Sequence, residues 1–256
     1  MKKGRNILFL IAVLFFGTAI PAAAQEDGQM LLSYCNSAIQ TSSTIGKGGK
    51  GTVSAACLIG QDKIGGLKNI KIAGVKVGLA SRLNIDSLQV WARYELDGNN
   101  IFAKTIGSKQ GQSIVKGWNE VQSLPVAMSD KPFYVGYTIY QKGACYAISA
   151  VKPQHEQGLM VNLDGTWADS SKVSDAVLSI GAIITADNMP TFDLGIDSIS
   201  MPERIQVGSA EPLTLQITNH GSRIISGFDV WTNENGCEAV SYPVNQSILP
   251  GERKEV

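Results

Sequence analysis

Residues 88–96 read Leu88-Gln89-Val90-Trp91-Ala92-Arg93-Tyr94-Glu95-Leu96, and their alternation decides the fold class. In an extended chain successive side chains point to opposite faces. Leu88, Val90, Ala92, Tyr94 and Leu96 therefore share an apolar face, and Gln89, Trp91, Arg93 and Glu95 share the other. The stretch Phe133-Tyr134-Val135-Gly136-Tyr137-Thr138-Ile139-Tyr140 repeats the period. Here Phe133, Val135, Tyr137 and Ile139 face the core, while Tyr134 and Tyr140 lie opposite.

The same texture runs outward in both directions. Short segments rich in Val, Ile, Tyr and Trp alternate with clusters of Gly, Asn, Asp and Ser, and helical periodicity is nearly absent. Strands are expected near Met30–Tyr34, Thr52–Ile59, Ile70–Leu79, Leu88–Leu96, Ile101–Ile106 and Asn119–Leu124. Further strands are expected near Phe133–Tyr140, Cys145–Ala150, Gly158–Leu163 and Ala176–Ala186. Asp97-Gly98-Asn99-Asn100 supplies residues that tolerate positive φ, the chemistry of a hairpin turn. So many short strands suit a jelly-roll-like antiparallel β-sandwich better than a barrel or a solenoid.

Asn188-Met189-Pro190 interrupts this run and marks a boundary, dividing residues 25–188 from residues 189–256. Beyond it Leu213, Leu215 and Ile217 alternate with Thr214, Gln216 and Thr218, a half-buried strand. Asn219-His220-Gly221-Ser222 turns the chain into a strand at Ile224–Thr232, and Asn233-Glu234-Asn235-Gly236 is a second hairpin signal. Asp193-Leu194, Pro202, Gly208, the strand ending Asn219-His220-Gly221, and Leu249-Pro250-Gly251 together resemble the skeleton of bacterial cell-adhesion-related Ig-like modules of the CARDB type. Residues 28–188 are similar, more loosely, to jelly-roll segments of secreted bacterial surface proteins, some of which continue into a thioredoxin-like domain. That domain has no counterpart here, so a redox role does not carry over. The resemblance implies an Ig-like β-sandwich at 189–256 that is partial, since such modules need further strands after the Leu249-Pro250-Gly251 turn. A truncated relative and a module completed by a strand-donating partner are both consistent with this.

The first residues read as a secretory signal peptide over 1–24. Lys2, Lys3 and Arg5 precede an apolar run from Ile7 to Phe16, and Ala22-Ala23-Ala24 places cleavage between Ala24 and Gln25. The run is too short for a transmembrane span, which needs roughly 20 apolar residues. The chain carries 22 Lys and Arg against 22 Asp and Glu. Loss of the basic leader leaves a mildly acidic protein, which argues against nucleic acid or anionic lipid as a partner. Export permits disulfides among the four cysteines, Cys35, Cys57, Cys145 and Cys237. No C-x-x-C pair is present, and the pairing stays open, as buried thiols are equally consistent.

Each candidate site has a bland alternative. Gly46-Lys47-Gly48-Gly49-Lys50-Gly51 satisfies G-x-G-x-x-G, but it leads into a strand rather than a helix, so a mobile entry loop is expected. Cys145 and His155 have the residue types of a thiol protease, yet Cys145 lies in a strand pattern with no helix N-terminus to activate it. Asp164, Asp169 and Asp175 are oxygen donors of the kind calcium takes, in a spacing equally typical of a solvated loop. The aromatic placement is more informative. Trp91, flanked by Arg93 and Glu95 on the outward face, can stack on a sugar ring or a partner side chain, or be covered by the N-terminal segment or the neighbouring domain while Arg93 and Glu95 pair at the surface. Tyr134 and Tyr140 extend that surface if their strand lies beside Leu88–Leu96. Trp118, Trp167 and Trp231 are read as packing residues.

The sequence therefore predicts an exported, non-enzymatic binding or adhesion protein of the periplasm, outer membrane or cell exterior. It would recognise a carbohydrate or protein ligand at the cell envelope, with no cofactor, catalytic residue or metal ligand assigned. A structural spacer, a remnant of a longer surface protein, and a hydrolase are the alternatives.

Overall fold

A strand with one apolar and one polar face can bury only the first, so strands of this kind must stack in layers. The computed structural model describes residues 28–35, 39, 45–97, 104–201, 213–232 and 240–256. The signal segment with its Ala24–Gln25 boundary, the tip of the Asp97–Asn100 turn, Pro202, Gly208, the Asn233–Gly236 turn and Cys237 lie outside these residues.

The chain opens with β1 (Met30–Ser33), β2 (Gly51–Ile59), the one-turn helix α1 (Gln61–Ile64), β3 (Lys68–Leu79) and β4 (Ile85–Arg93). It continues through β5 (Lys104–Gln110), β6 (Gly117–Ala127), β7 (Phe133–Gln141), β8 (Ala150–Val151), β9 (Met160–Asn162) and β10 (Trp167–Asp169). After α2 (Ser171–Ser174) come β11 (Val177–Leu178), β12 (Ile180–Asp187), β13 (Leu194–Ser200) and β14 (Thr214–Asn219). The last strands are β15 (Phe228–Thr232), β16 (Val240–Val244) and β17 (Arg253–Glu255).

Two antiparallel sheets form the main sandwich, a four-stranded sheet β1-β12-β3-β6 and a six-stranded sheet β10-β9-β2-β7-β4-β5. The chain crosses repeatedly from one to the other: β2 and β4 lie in the larger sheet, β3 and β6 in the smaller. The inner faces carry the expected side chains. Leu88, Val90 and Ala92 of β4 and Phe133, Val135, Tyr137 and Ile139 of β7 are buried against Ile72, Val75, Val77, Leu79, Ala182 and Ile184 of the opposite sheet. Each large apolar side chain fully removed from water contributes roughly 1.5–3 kcal/mol, so this layer holds the sandwich together. The all-β sandwich read from the sequence is what the structure has.

A second, smaller apolar cluster joins Leu215, Ile217 and Ile248 with Leu194, Phe228, Val230 and Val256. It is built by the three-stranded sheet β13-β14-β17 and the hairpin β15-β16. Ile196, Ile199, Trp231 and Tyr242 on these strands are exposed.

Two local expectations are corrected. Residues 145–150 are not a continuous strand, because the segment meets two different partners in turn. Cys145 bridges Lys47, then Ile148 bridges Leu79, each through a single antiparallel bridge. The glycine-rich loop is pinned rather than mobile. Lys47 exchanges backbone hydrogen bonds with Cys145, and the Gln141 side chain donates to the carbonyls of Lys47 and Gly49. A Cβ on Gly46 would stand 2.2 Å from the Cys145 carbonyl oxygen, which explains the glycine there.

Candidate ligand-binding face

The outer face of the six-stranded sheet is where the sequence placed its candidates, and strand register decides which of them meet. Gln89 lies opposite Thr138, Thr138 opposite Ser54, Ser54 opposite Asn162, and Asn162 opposite Trp167. Five strands thus contribute one half-buried residue each to a row that runs across the sheet. With neighbouring strands about 4.8 Å apart, the row is roughly 19 Å long.

The row is wired through hydroxyls. The Trp91 indole N–H donates to Thr138 Oγ1 at 3.0 Å, and Thr138 Oγ1 shares a hydrogen bond of 2.8 Å with Ser54 Oγ. Because the indole can only donate, Thr138 Oγ1 must accept from it. Whichever hydroxyl then donates to the other, one hydroxyl proton remains for an acceptor above the sheet. Asn162 Oδ1 accepts the Gly165 backbone N–H at 2.8 Å, which orients the amide and leaves its NH₂ as a donor with no partner among the described residues. At the other end the Tyr140 hydroxyl donates to Gln89 Oε1 at 3.2 Å.

Trp91 sits beside this row and is only 2 % exposed. Its ring passes over Gly136, its register partner on β7. A Cβ at Gly136 would come within 2.4 Å of Trp91 Cη2, so the ledge exists only because that position is glycine. The ring meets the edge of Trp167 with centroids 5.8 Å apart and planes at 77°. The Arg93 guanidinium covers it from above, 4.2 Å from the ring centroid. Arg93 Nε is buried with no hydrogen-bond partner among the described residues. Burial pulls the guanidinium pKa below its ordinary value. A buried donor without an acceptor is costly, and such groups concentrate at functional positions.

The sequence candidates separate accordingly. Trp91, Arg93 and Tyr134 come together at one end, since Arg93 is the register partner of Tyr134. The Tyr134 hydroxyl is tied to Gln157, and its pKa is raised by burial first and by the charges of Asp169 and Asp97 second. Tyr140 lies six residues further along β7, about 20 Å away at strand rise, and is 41 % exposed. Glu95 lies past the end of β4 and is exposed, so the structure does not bring it to the row. Among the described residues, Trp91 is covered within the protein by Arg93 and Trp167 rather than by the N-terminal segment or the neighbouring domain. Sequence reasoning missed Thr138, Ser54, Asn162 and Trp167. Their signal was the polar side of each alternating strand, but only the register shows that these sides align.

The other candidates do not converge. Asp164 pairs with Lys47 at 3.3 Å, Asp169 accepts from the Ser171 N–H and hydroxyl, and Asp175 pairs with Lys152 at 2.8 Å. Among the described residues no three His, Cys, Asp or Glu side chains come together in a metal-holding group. His155 stacks on Tyr34 with centroids 3.5 Å apart, while Cys145 is buried beside the Lys47 loop and its thiol pKa is raised by that burial. Burial likewise pushes the Cys57 thiol up to about 12. No helix among the described residues is long and apolar enough to cross a membrane.

No known family model matches the chain, and no curated protein matches it. Among solved structures, it is similar to the cysteine protease and lectin-like domains of Cwp84, a surface-layer-associated protein of Clostridium difficile. That similarity has 10% identity and a TM-score of 0.43 over 62% of this chain and 36% of that one. It is also similar to the clostridial cysteine protease Cwp84 after propeptide cleavage, at 12% identity and a TM-score of 0.43, over 62% of this chain and 41% of that one. The chain spans less than half the length of either structure.

Proposed function

We propose that the chain is an exported, non-enzymatic binding protein whose outer six-stranded face takes a carbohydrate at the cell envelope. The observation that supports this most is the row Gln89–Thr138–Ser54–Asn162–Trp167, half-buried and edged by Tyr140 and by the Arg93-covered Trp91. A sugar presents hydroxyls around a ring whose axial hydrogens form an apolar face. Such a ligand asks for neutral donors and acceptors in a line with an aromatic side chain at hand, which this face supplies. Trp167, Tyr140 and Tyr134 are the stacking residues in this reading, and Arg93 is a mobile cover that turns its unpartnered Nε to the ligand. In this organisation the binding sandwich is residues 25–188, preceded by a signal segment cleaved at Ala24–Gln25 and followed by an Ig-like unit at 189–256.

The test is a glycan array on the mature chain, followed by calorimetric titration of any glycan that binds. Trp167→Ala and Asn162→Ala should each weaken binding at least tenfold with the melting temperature within about 2 °C. Unchanged affinity in both variants would reject this face as the site.

The exposed Ile196 and Ile199 on β13, an edge of its sheet, support a second partner, a protein strand added to β13 or β17. Strong hydrogen-exchange protection of both edge strands in the isolated protein would rule that addition out.

A further inference from the structure

The second sheet of the sandwich also has an outer face, and a cleft of about 630 Å³ separates it from the three-stranded sheet β13-β14-β17. Leu31, Lys76 and Trp118 line one wall, and Gln216, Thr218 and Glu252 line the other. Its size is that of a small-molecule site, and its position between packed sheets is where such sites concentrate.

The charges in the cleft are not equivalent. Glu252 is engaged on its own side. Its carboxylate accepts the Leu249 backbone N–H at 2.8 Å and pairs with Lys254 at 3.5 Å. Arg253, also lining the cleft, pairs with Asp197 at 3.2 Å. Lys76 has no carboxylate at ion-pair distance among the described residues; its register partner on β6 is Glu120, whose carboxylate accepts from the Gln122 side chain at 2.7 Å. Its ammonium stands 5.3 Å from the centroid of the Trp118 ring. Burial lowers its pKa, against the weaker opposing pull of Glu120, Cys35 and Glu252. The cleft therefore holds one positive charge whose close partner is an aromatic face, next to the apolar Leu31. A monoanion with a flat apolar body fits both features: the charge meets the ammonium, and the body lies along Trp118.

We propose that this cleft binds a small aromatic or otherwise flat carboxylate through Lys76, with Trp118 and Leu31 as its apolar floor. The site is independent of the glycan face, so either can fail without the other. Because its walls come from two separate sheets, occupancy ties them together and raises the melting temperature of the whole chain.

Benzoate is the probe, with benzyl alcohol as its uncharged counterpart, both titrated by calorimetry into the mature protein. Benzoate should bind at least tenfold more tightly than benzyl alcohol, and Lys76→Met should bring the two to equal affinity. Should Lys76→Met not fold, Gln216→Phe fills the cleft from the opposite wall and should abolish benzoate binding. Failure of benzoate to bind the wild type below about 10 mM would overturn the proposal, as would undiminished binding in the variant that folds.

Discussion

Replacing Gly136 by Ala tests the aromatic ledge at the point where it is tightest. The added Cβ would stand 2.4 Å from Trp91 Cη2, 2.6 Å from Cζ2 and 2.8 Å from the Ala55 carbonyl oxygen. Carbon atoms in contact prefer about 3.5–4.0 Å, so the ring must lift by more than an ångström while the carbonyl, held in a β ladder, cannot yield. Overpacking of this kind costs roughly 1–3 kcal/mol. Lifting the ring also strains the indole hydrogen bond to Thr138, worth about 0.5–1.5 kcal/mol, and the edge contact with Trp167, worth a similar amount. The expected loss is about 2–4 kcal/mol, or a fall in melting temperature of roughly 5–15 °C. Guanidinium unfolding followed by far-ultraviolet circular dichroism measures it, and the near-ultraviolet tryptophan bands report the ring directly. Combined with Trp91→Ala, the substitution should cost at least about 1 kcal/mol less than the two single losses together, because the ring it strikes is gone. A loss under about 0.5 kcal/mol with an unchanged near-ultraviolet spectrum would refute the ledge.

Alkaline stability follows from Cys57. An unfolded thiol ionises near about 8.5, whereas burial holds the native one to about 12. Above the first value the unfolded chain binds fewer protons, so this contribution is complete at neutral pH and declines as pH rises, by up to about 1.4 kcal/mol per pH unit. Cys57→Ala should flatten the decline in urea titrations at pH 8, 9 and 10; equal slopes would contradict it. Tyr137 is fully buried and its hydroxyl has no partner among the described residues. Tyr137→Phe should therefore gain about 1 kcal/mol in equilibrium unfolding, and a loss of similar size would mean that the hydroxyl is bonded. Cys145 and Cys57 should resist iodoacetamide at pH 7 until denaturant is added, and rapid native labelling of Cys145 would favour the thiol-enzyme alternative.

The inner layer was legible because period two is a local property. Phe133–Ile139 and Leu88–Ala92 declare their buried sides without reference to any other strand. The outer face was half legible for the same reason: the alternation puts Trp91, Arg93 and Tyr134 outward. The alternation does not say that Gly136 lies under Trp91, since that depends on the pairing of strands more than 40 residues apart in sequence. Trp167 was read as packing because that is the default for a tryptophan at a strand end, and β10 is only three residues long, too short to show a period that would place it outward. The segment 145–150 was apolar enough to read as a strand, but its hydrogen bonds go to two unrelated places. The lysine at 76 was hidden inside an apolar run, and only the fold shows that it stands beside Trp118 at the edge of a cleft.

The most direct measurement is backbone and indole ¹H–¹⁵N shift mapping of residues 25–256 against a glycan selected on the array. Shifts are expected at Ser54, Gln89, Thr138 and Asn162 and at the indole N–H signals of Trp91 and Trp167. Shifts confined to residues 189–256, or an array on which no glycan binds, would contradict the glycan-face reading.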